Sequence, residues 1–276
     1  MNDPEFEQEL SSRLAAIGCE KLAYDAERAE SCAELYKYVE DHARSRQLIN
    51  TMVALPVMRS KLMAPESSAV HYRKDRSELE PQYRHALSVG RMLIDLNAPL
   101  MPFEEDLALA AAVCHVLINT VECANLYREL TEYCGLDSRI YDIIELNDKK
   151  EQMSDAEMEA FYDRIRENKL ALLVKLADRG NLVEQLYYLP AARARDRIRE
   201  TRTYFFPMCI FAKEQFPELI TAVGILMEKM RCLIEVADIF SVKYEEREAG
   251  LVSEILAMQE ENAGIRGILA RLREGI

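Results

Sequence analysis

The stretch that decides the fold is Leu170 to Leu182, LALLVKLADRGNL. Leucine, alanine and lysine dominate it, and all three are strong helix formers. It reads as part of one helix from Lys169 to Tyr188, with Gly180 its single interruption. Pro190 ends that helix, because proline lacks the N–H that the next turn needs. Upstream, Ser154-Asp-Ala-Glu157 forms a capping box for a helix entering Phe161-Tyr162. Two earlier helical runs each carry a histidine. His85 opens the apolar-periodic run His85-Ala-Leu-Ser-Val-Gly-Arg-Met-Leu, and His115 lies inside Ala110-Ala-Ala-Val-Cys-His115-Val-Leu-Ile-Asn-Thr. The second run is nearly apolar from Ala108 to Ile118 and is therefore expected to be buried.

The composition agrees with helix nearly throughout. The 276 residues include only nine glycines and nine prolines, while Leu, Ala, Glu, Met and Arg abound. No run of alternating apolar and polar residues is bounded by turn signals, so strands are not expected. Asp3-Pro4, followed by Glu5 and Glu7, starts a helix, and helical pattern continues with breaks to about Leu62. Met63 to Pro81 reads as irregular, and helix is expected from about Gln82 to Leu96. Pro99 and Pro102 mark a loop, Glu104-Glu-Asp106 a helix cap, and Glu104 to Cys134 one or two packed helices. Helix restarts near Ser138, Asn147 to Ser154 is a polar linker, and a long helix from about Ala191 is bent or broken at Pro207 and Pro217. The expected organisation is an N-terminal helical region at 1–64, a core at 65–200 and C-terminal helices at 201–276.

A formal net charge of −13 argues against a nucleic-acid surface, since a phosphate backbone would be repelled. The one basic patch, Arg193 to Arg202, is interrupted by Asp196 and Glu200 and reads as a solvated face with internal ion pairs. The longest apolar run, Leu107 to Val113, is too short to span a bilayer. Seven cysteines without CxxC spacing, several of them in apolar runs like Cys114 and Cys232, point to a reducing cytoplasm. His42 and His71 stand among charged residues and are expected to face solvent.

The order His85, His115, Asp178, the last within a "KLADR" helix, resembles the HD-domain metal phosphohydrolases. Within them the chain is most similar to the hydrolase domain of the RelA/SpoT-homologue family, which acts on guanosine tetraphosphate and pentaphosphate. The likeness covers roughly residues 70 to 190 and is strongest over Glu167 to Asn181, ENKLALLVKLADRGN. It implies an all-α, HD-domain-like helical bundle with N- and C-terminal helical additions. It also implies a divalent metal, manganese before iron or zinc, held by His85, His115 and Asp178. The segment Arg76-Ser-Glu-Leu-Glu80-Pro81 matches the family's Arg-Lys-Ser-Gly-Glu-Pro at its arginine and at Glu-Pro. Arg76 would thus be the nucleotide-facing arginine, and Asn181 the base-contacting asparagine displaced by one residue.

The departures bear on chemistry. The family's aspartate after the second histidine is Val116 here, and its water-handling Glu-Asp pair is Asn119 and Thr120, neither a base near neutral pH. The resemblance then implies a catalytically degenerate relative of guanosine tetraphosphate hydrolases, serving as a nucleotide-binding or protein-interaction module. The ligand would be a guanine nucleotide or related phosphate ester, with no nucleic-acid or membrane partner. Two rivals stand beside it: an active metal-dependent phosphohydrolase recruiting Glu122 or Asp95, and a purely structural helical partner. Taken singly, His115 reads as a core histidine and Asp178 as a core carboxylate paired with Lys175 or Arg179.

At the C-terminus, Leu251, Ile255, Met258, Asn262, Ile265, Leu269, Leu272 and Ile276 repeat at alternating spacings of four and three. This is an a/d heptad seam with one polar member, Asn262, suited either to a homodimer through 251–276 or to docking on the chain's own domain.

Overall fold

A computed structural model describes residues 32–63, 71–72, 76–122, 125–150 and 152–239. The protein is an all-α helical bundle, as expected. One compact unit runs to Leu233, and a second begins at Ile234. Among the described residues of the first unit the helices are α1 (Cys32–Arg46), α2 (Ile49–Met63), α3 (Arg76–Leu96), α4 (Pro102–Cys114), the single turns α5 (Leu117–Thr120) and α6 (Leu126–Arg128), α7 (Ser138–Asn147), α8 (Asp155–Arg166), α9 (Lys169–Glu184), α10 (Ala191–Glu200) and α11 (Phe206–Gln215). A twelfth helix runs over 220–233, and the described part of the second unit, 234–239, is helical as well. No helix among the described residues is long and apolar enough to cross a membrane. The seam residues 251–276 and the proposed start at Asp3-Pro4 lie outside the described residues.

Helix α4 is the axis of the bundle. Pro102 stands in its first turn with Glu104 and Glu105, and the Glu104 carboxylate accepts from the Met101 N–H at 3.1 Å. Every residue from Asp106 to Cys114 is buried, with α2, α3, α7 and α9 packed around it. Small alanines at 108, 110, 111 and 112 let those neighbours approach from all sides. Helix α9 is the second pillar, capped by Asn168, whose Oδ1 accepts from the N–H groups of Leu170 and Ala171 at 3.1 and 3.0 Å. Gly180 lies inside it, where a Cβ would stand 2.6 Å from Met92 Sδ and 2.7 Å from a Leu226 methyl. The glycine there permits close approach of α3 and the last helix, so α9 continues through it to Glu184.

Several local expectations change. Helix α3 begins at Arg76 rather than near Gln82, and Pro81 lies within it. Leu79, Tyr83, Ala86 and Leu87 form one buried stripe across the proline, and that burial outweighs one missing backbone hydrogen bond. A two-residue antiparallel pair, β1 (His71–Tyr72) with β2 (Val121–Glu122), is too short to show alternation in sequence. The region after Ala191 is a chain of pieces: a π-helical turn at Thr201–Phe205 precedes α11, and a 3₁₀ turn at Pro217–Leu219 precedes the last helix. His42 does not face solvent freely; its Nε2 lies 2.8 Å from Glu105 Oε1 in a half-buried pair. Of His71 only the backbone pairing with Glu122 is described. The arginine-rich α10 is largely a solvated face, with Arg199 paired to Asp196 at 2.7 Å, but Glu200 turns inward.

Asp106 does not cap its own helix. Its carboxylate points across to the start of α2. Oδ2 accepts from the Asn50 N–H and side-chain amide, both at 2.9 Å, and Oδ1 accepts from the Thr51 N–H and hydroxyl at 2.8 and 2.9 Å. The unsatisfied N–H groups of the α2 first turn are thereby capped by a residue 55 positions away in sequence. Asn50 Oδ1 in turn accepts from the Asp137 N–H at 3.0 Å, tying in the entry to α7. Asp106→Ala should therefore lower stability by about 2–3 kcal/mol, the cost of leaving buried donors unpaired. A reduced urea midpoint with unchanged slope would show it.

Candidate metal centre

Three elements bring the first site residues together. His85 projects from the middle of α3, His115 follows the last turn of α4, and Asp178 lies on α9. One ligand atom from each residue lies within 4.8 Å of the other two, the neighbourhood that a single ion with bonds of about 2.1 Å would need. His85 Nε2 is 3.1 Å from Asp178 Oδ1, and the two imidazole rings meet edge to face with centroids 5.2 Å apart.

Both imidazoles are oriented by their other nitrogen. His115 Nδ1 donates to the Ala112 carbonyl at 2.6 Å. His85 Nδ1 donates to Asn181 Oδ1 at 2.8 Å, an oxygen that also accepts from Gln185 Nε2 at 3.1 Å. Anchoring one ring nitrogen orients the other, as it does in metal-bound histidines. Burial pushes the His115 imidazole down to about 4, against weaker upward pulls from Asp178 and the Ala112 bond. Asp178 is buried, which alone would raise its carboxyl. The Lys175 ammonium and the His85 hydrogen bond prevail and hold it well below the usual carboxylate range. His85 Nε2 and Asp178 Oδ1 thus face each other directly, 3.1 Å apart.

The three line a cavity of about 180 Å³ together with Gln82, Val116, Ile118, Asn119, Asn147, Lys149 and Lys175. That is below the 300–1,000 Å³ of pockets that enclose a drug-sized ligand, so it suits a metal and one phosphate-sized group. Lys175 is buried on the face of α9 that carries Asp178, its Nζ 3.4 Å from Asp178 Oδ2 and 3.2 Å from the Asn147 carbonyl. Lys149 at the rim is held by Glu200 Oε1 at 2.5 Å. Glu200 also accepts from the Tyr162 hydroxyl at 2.9 Å and from Arg179 Nη2 at 2.6 Å, and Arg179 and Lys149 bring its buried carboxyl down to about 2. Arg179 therefore pairs with Glu200, and Asp178 with Lys175.

The remaining expected residues are placed differently. Asn181 is buried behind His85 and outside the cavity lining, so it orients the His85 ring. Arg76 starts α3, and its side chain is outside the description. Val116 is buried at the cavity wall, Asn119 lines it, and the Thr120 hydroxyl turns back to donate to the Val116 carbonyl at 2.6 Å. Asp95 accepts from the Tyr38 hydroxyl at 2.8 Å on an exposed face and does not join the lining. For Glu122 only the backbone is described. Lys149, Asn147 and Glu200 escaped the sequence reading, because a polar linker and an arginine-rich helix carry no sign of where they fold back.

No protein-family model matches the chain, and no curated protein matches it in sequence at a significant level.

The His115 shift has a pH consequence. Burial favours the neutral imidazole, so between about pH 6.5, the unfolded value, and about 4 the unfolded chain binds a proton that the native chain does not. The contribution is fully present above that window and is lost as pH falls through it. The His115 Cε1–H resonance should titrate near pH 4, and His115→Gln should flatten part of the acid-side fall in stability. A titration near 6.5 would contradict this account.

Proposed function

We propose that this protein is a catalytically degenerate relative of guanosine tetraphosphate hydrolases, an HD-type bundle that binds a divalent metal and a phosphate ester. The observation that carries the reading is the convergence of two Nδ1-anchored imidazoles and one carboxylate in a cavity that also holds two lysines. The donor set fits manganese, iron or zinc: two borderline nitrogens and one hard oxygen, as in other two-histidine, one-carboxylate sites. His85, His115 and Asp178 would hold the ion, which when bound polarises a phosphate oxygen and lowers the pKa of bound water. The chain's own residues supply the rest. Asn181 and the Ala112 carbonyl keep each imidazole in its binding tautomer, and Lys149, Lys175 and Asn119 offer donors to an oxyanion.

Catalysis lacks its base. Val116 is apolar, Asn119 is an amide, and Thr120 spends its hydroxyl on a backbone carbonyl. A guanine nucleotide entering phosphate-first would leave its base outside a cavity of about 180 Å³, consistent with a module that senses or docks rather than turns over. With manganese, guanosine tetraphosphate hydrolysis should fall well under the ordinary enzymatic range of about 1–1,000 per second. A turnover inside that range would sink the degenerate reading. Val116→Asp should tighten manganese binding by more than it raises rate, since the water-handling pair is still missing.

We also propose that the seam at 251–276 joins two copies of the chain. Removing Leu251 to Ile276 should halve the mass seen by light scattering and leave a stable monomer. Lost stability and aggregation would instead mean that the segment docks on its own domain.

A further inference from the structure

We propose that Lys175 makes metal binding in this cavity conditional on a phosphate-type anion, so that the two ligands enter together. The inference rests on the metal reading above and deepens it. Among the described lining residues Asp178 is the sole acid, whereas Lys149 and Lys175 are both cationic. Lys149 has its counter-charge in Glu200, at 2.5 Å. Lys175 has no such outside partner in the cavity. Its two contacts are the Asn147 carbonyl at 3.2 Å, which is neutral, and Asp178 Oδ2 at 3.4 Å.

The carboxylate is thus divided: Oδ1 faces His85 and Oδ2 faces the ammonium. The one negative charge that would offset an incoming ion is already claimed. The ammonium is enclosed where it stands. It is buried on α9, with the Phe161 ring on one side at 5.7 Å from Nζ to ring centre. A divalent ion among His85, His115 and Asp178 would sit a few ångströms from this fixed cation in a low-dielectric site, where like charges repel strongly. Val116, at the wall of the same cavity, offers nothing to relieve it.

An anion that contacts both the ion and the Lys175 ammonium relieves it. Its negative oxygens would lie between the two cations, and the amides of Gln82 and Asn119 are neutral donors in the same lining. A tetrahedral oxyanion has enough oxygens to serve ion, ammonium and amide at once. Because binding free energies are linked, the anion must tighten the metal by the same factor that the metal tightens the anion.

The test uses the full-length protein and manganese(II), with bound metal read from loss of the free-ion electron paramagnetic resonance signal. Titrations run in chloride buffer with and without inorganic phosphate. We expect phosphate to tighten manganese at least about tenfold, within the usual range for coupled sites, and manganese to tighten phosphate equally. In Lys175→Met, manganese should bind without phosphate and the gain should drop below about twofold. Lys175→Arg keeps the charge and should keep the coupling. Val116→Asp restores an anion to the wall and should bind manganese without phosphate. Manganese affinity in the wild type that is equal with and without phosphate overturns the coupling and leaves the metal site standing. Absence of manganese binding to wild type and Val116→Asp under every condition overturns the metal reading and the coupling with it.

Discussion

Helix α4 carries no solvent-facing side from Asp106 to Cys114, and that burial constrains the rest of the bundle. A helix that is apolar all round has to be enclosed, so α2, α3, α7 and α9 are drawn around it. Its single buried acid is what orients the enclosure. An unpaired carboxylate would be costly there, and Asp106 avoids that cost by capping the first turn of α2 through four hydrogen bonds. Asn50, held by the same carboxylate, then fixes the start of α7. One side chain thus joins three helices whose sequences give no sign of meeting.

The candidate centre is a by-product of that arrangement. His115 comes where α4 ends, and the cavity opens at the end of the buried axis, between α3 and α9. The close approach at Gly180 brings α9 against Met92 of α3, setting Asp178 and Asn181 opposite His85. A metal site would tolerate little looseness, and both imidazoles are restrained by a hydrogen bond at Nδ1. Electrostatics then pull in two directions. The imidazole nitrogens and Asp178 favour a cation, while Lys175 and Lys149 favour an anion, and the cavity is small enough that both would be felt at once.

Much of the helical plan was legible in the sequence because its signals are local. The capping box at Ser154–Glu157 acts within one turn, whereas the helix expected to run to Tyr188 stops at Glu184, before Pro190. Where the reading slipped, a long-range term had prevailed. Pro81 is overridden by the buried stripe from Leu79 to Leu87, Gly180 by the packing of Met92 and Leu226, and Asp106 by the bare start of α2. The two-residue strand pair is similarly a long-range pairing, with nothing in either dipeptide to announce it.

For the site, His85, His115 and Asp178 were legible only together, through the family resemblance of their order and helical context. Sequence also determined that positions 116, 119 and 120 hold no carboxylate, because folding cannot make one of a valine, an amide or a hydroxyl. Tertiary structure decided the partnerships. It assigned Lys175 rather than Arg179 to Asp178, moved Asn181 from the cavity to the back of His85, and brought Glu200 around to hold Lys149. These are pairings between groups up to 96 residues apart. Which donor reaches which acceptor depends on how helices cross, and a crossing is set by packed surfaces that no local pattern encodes.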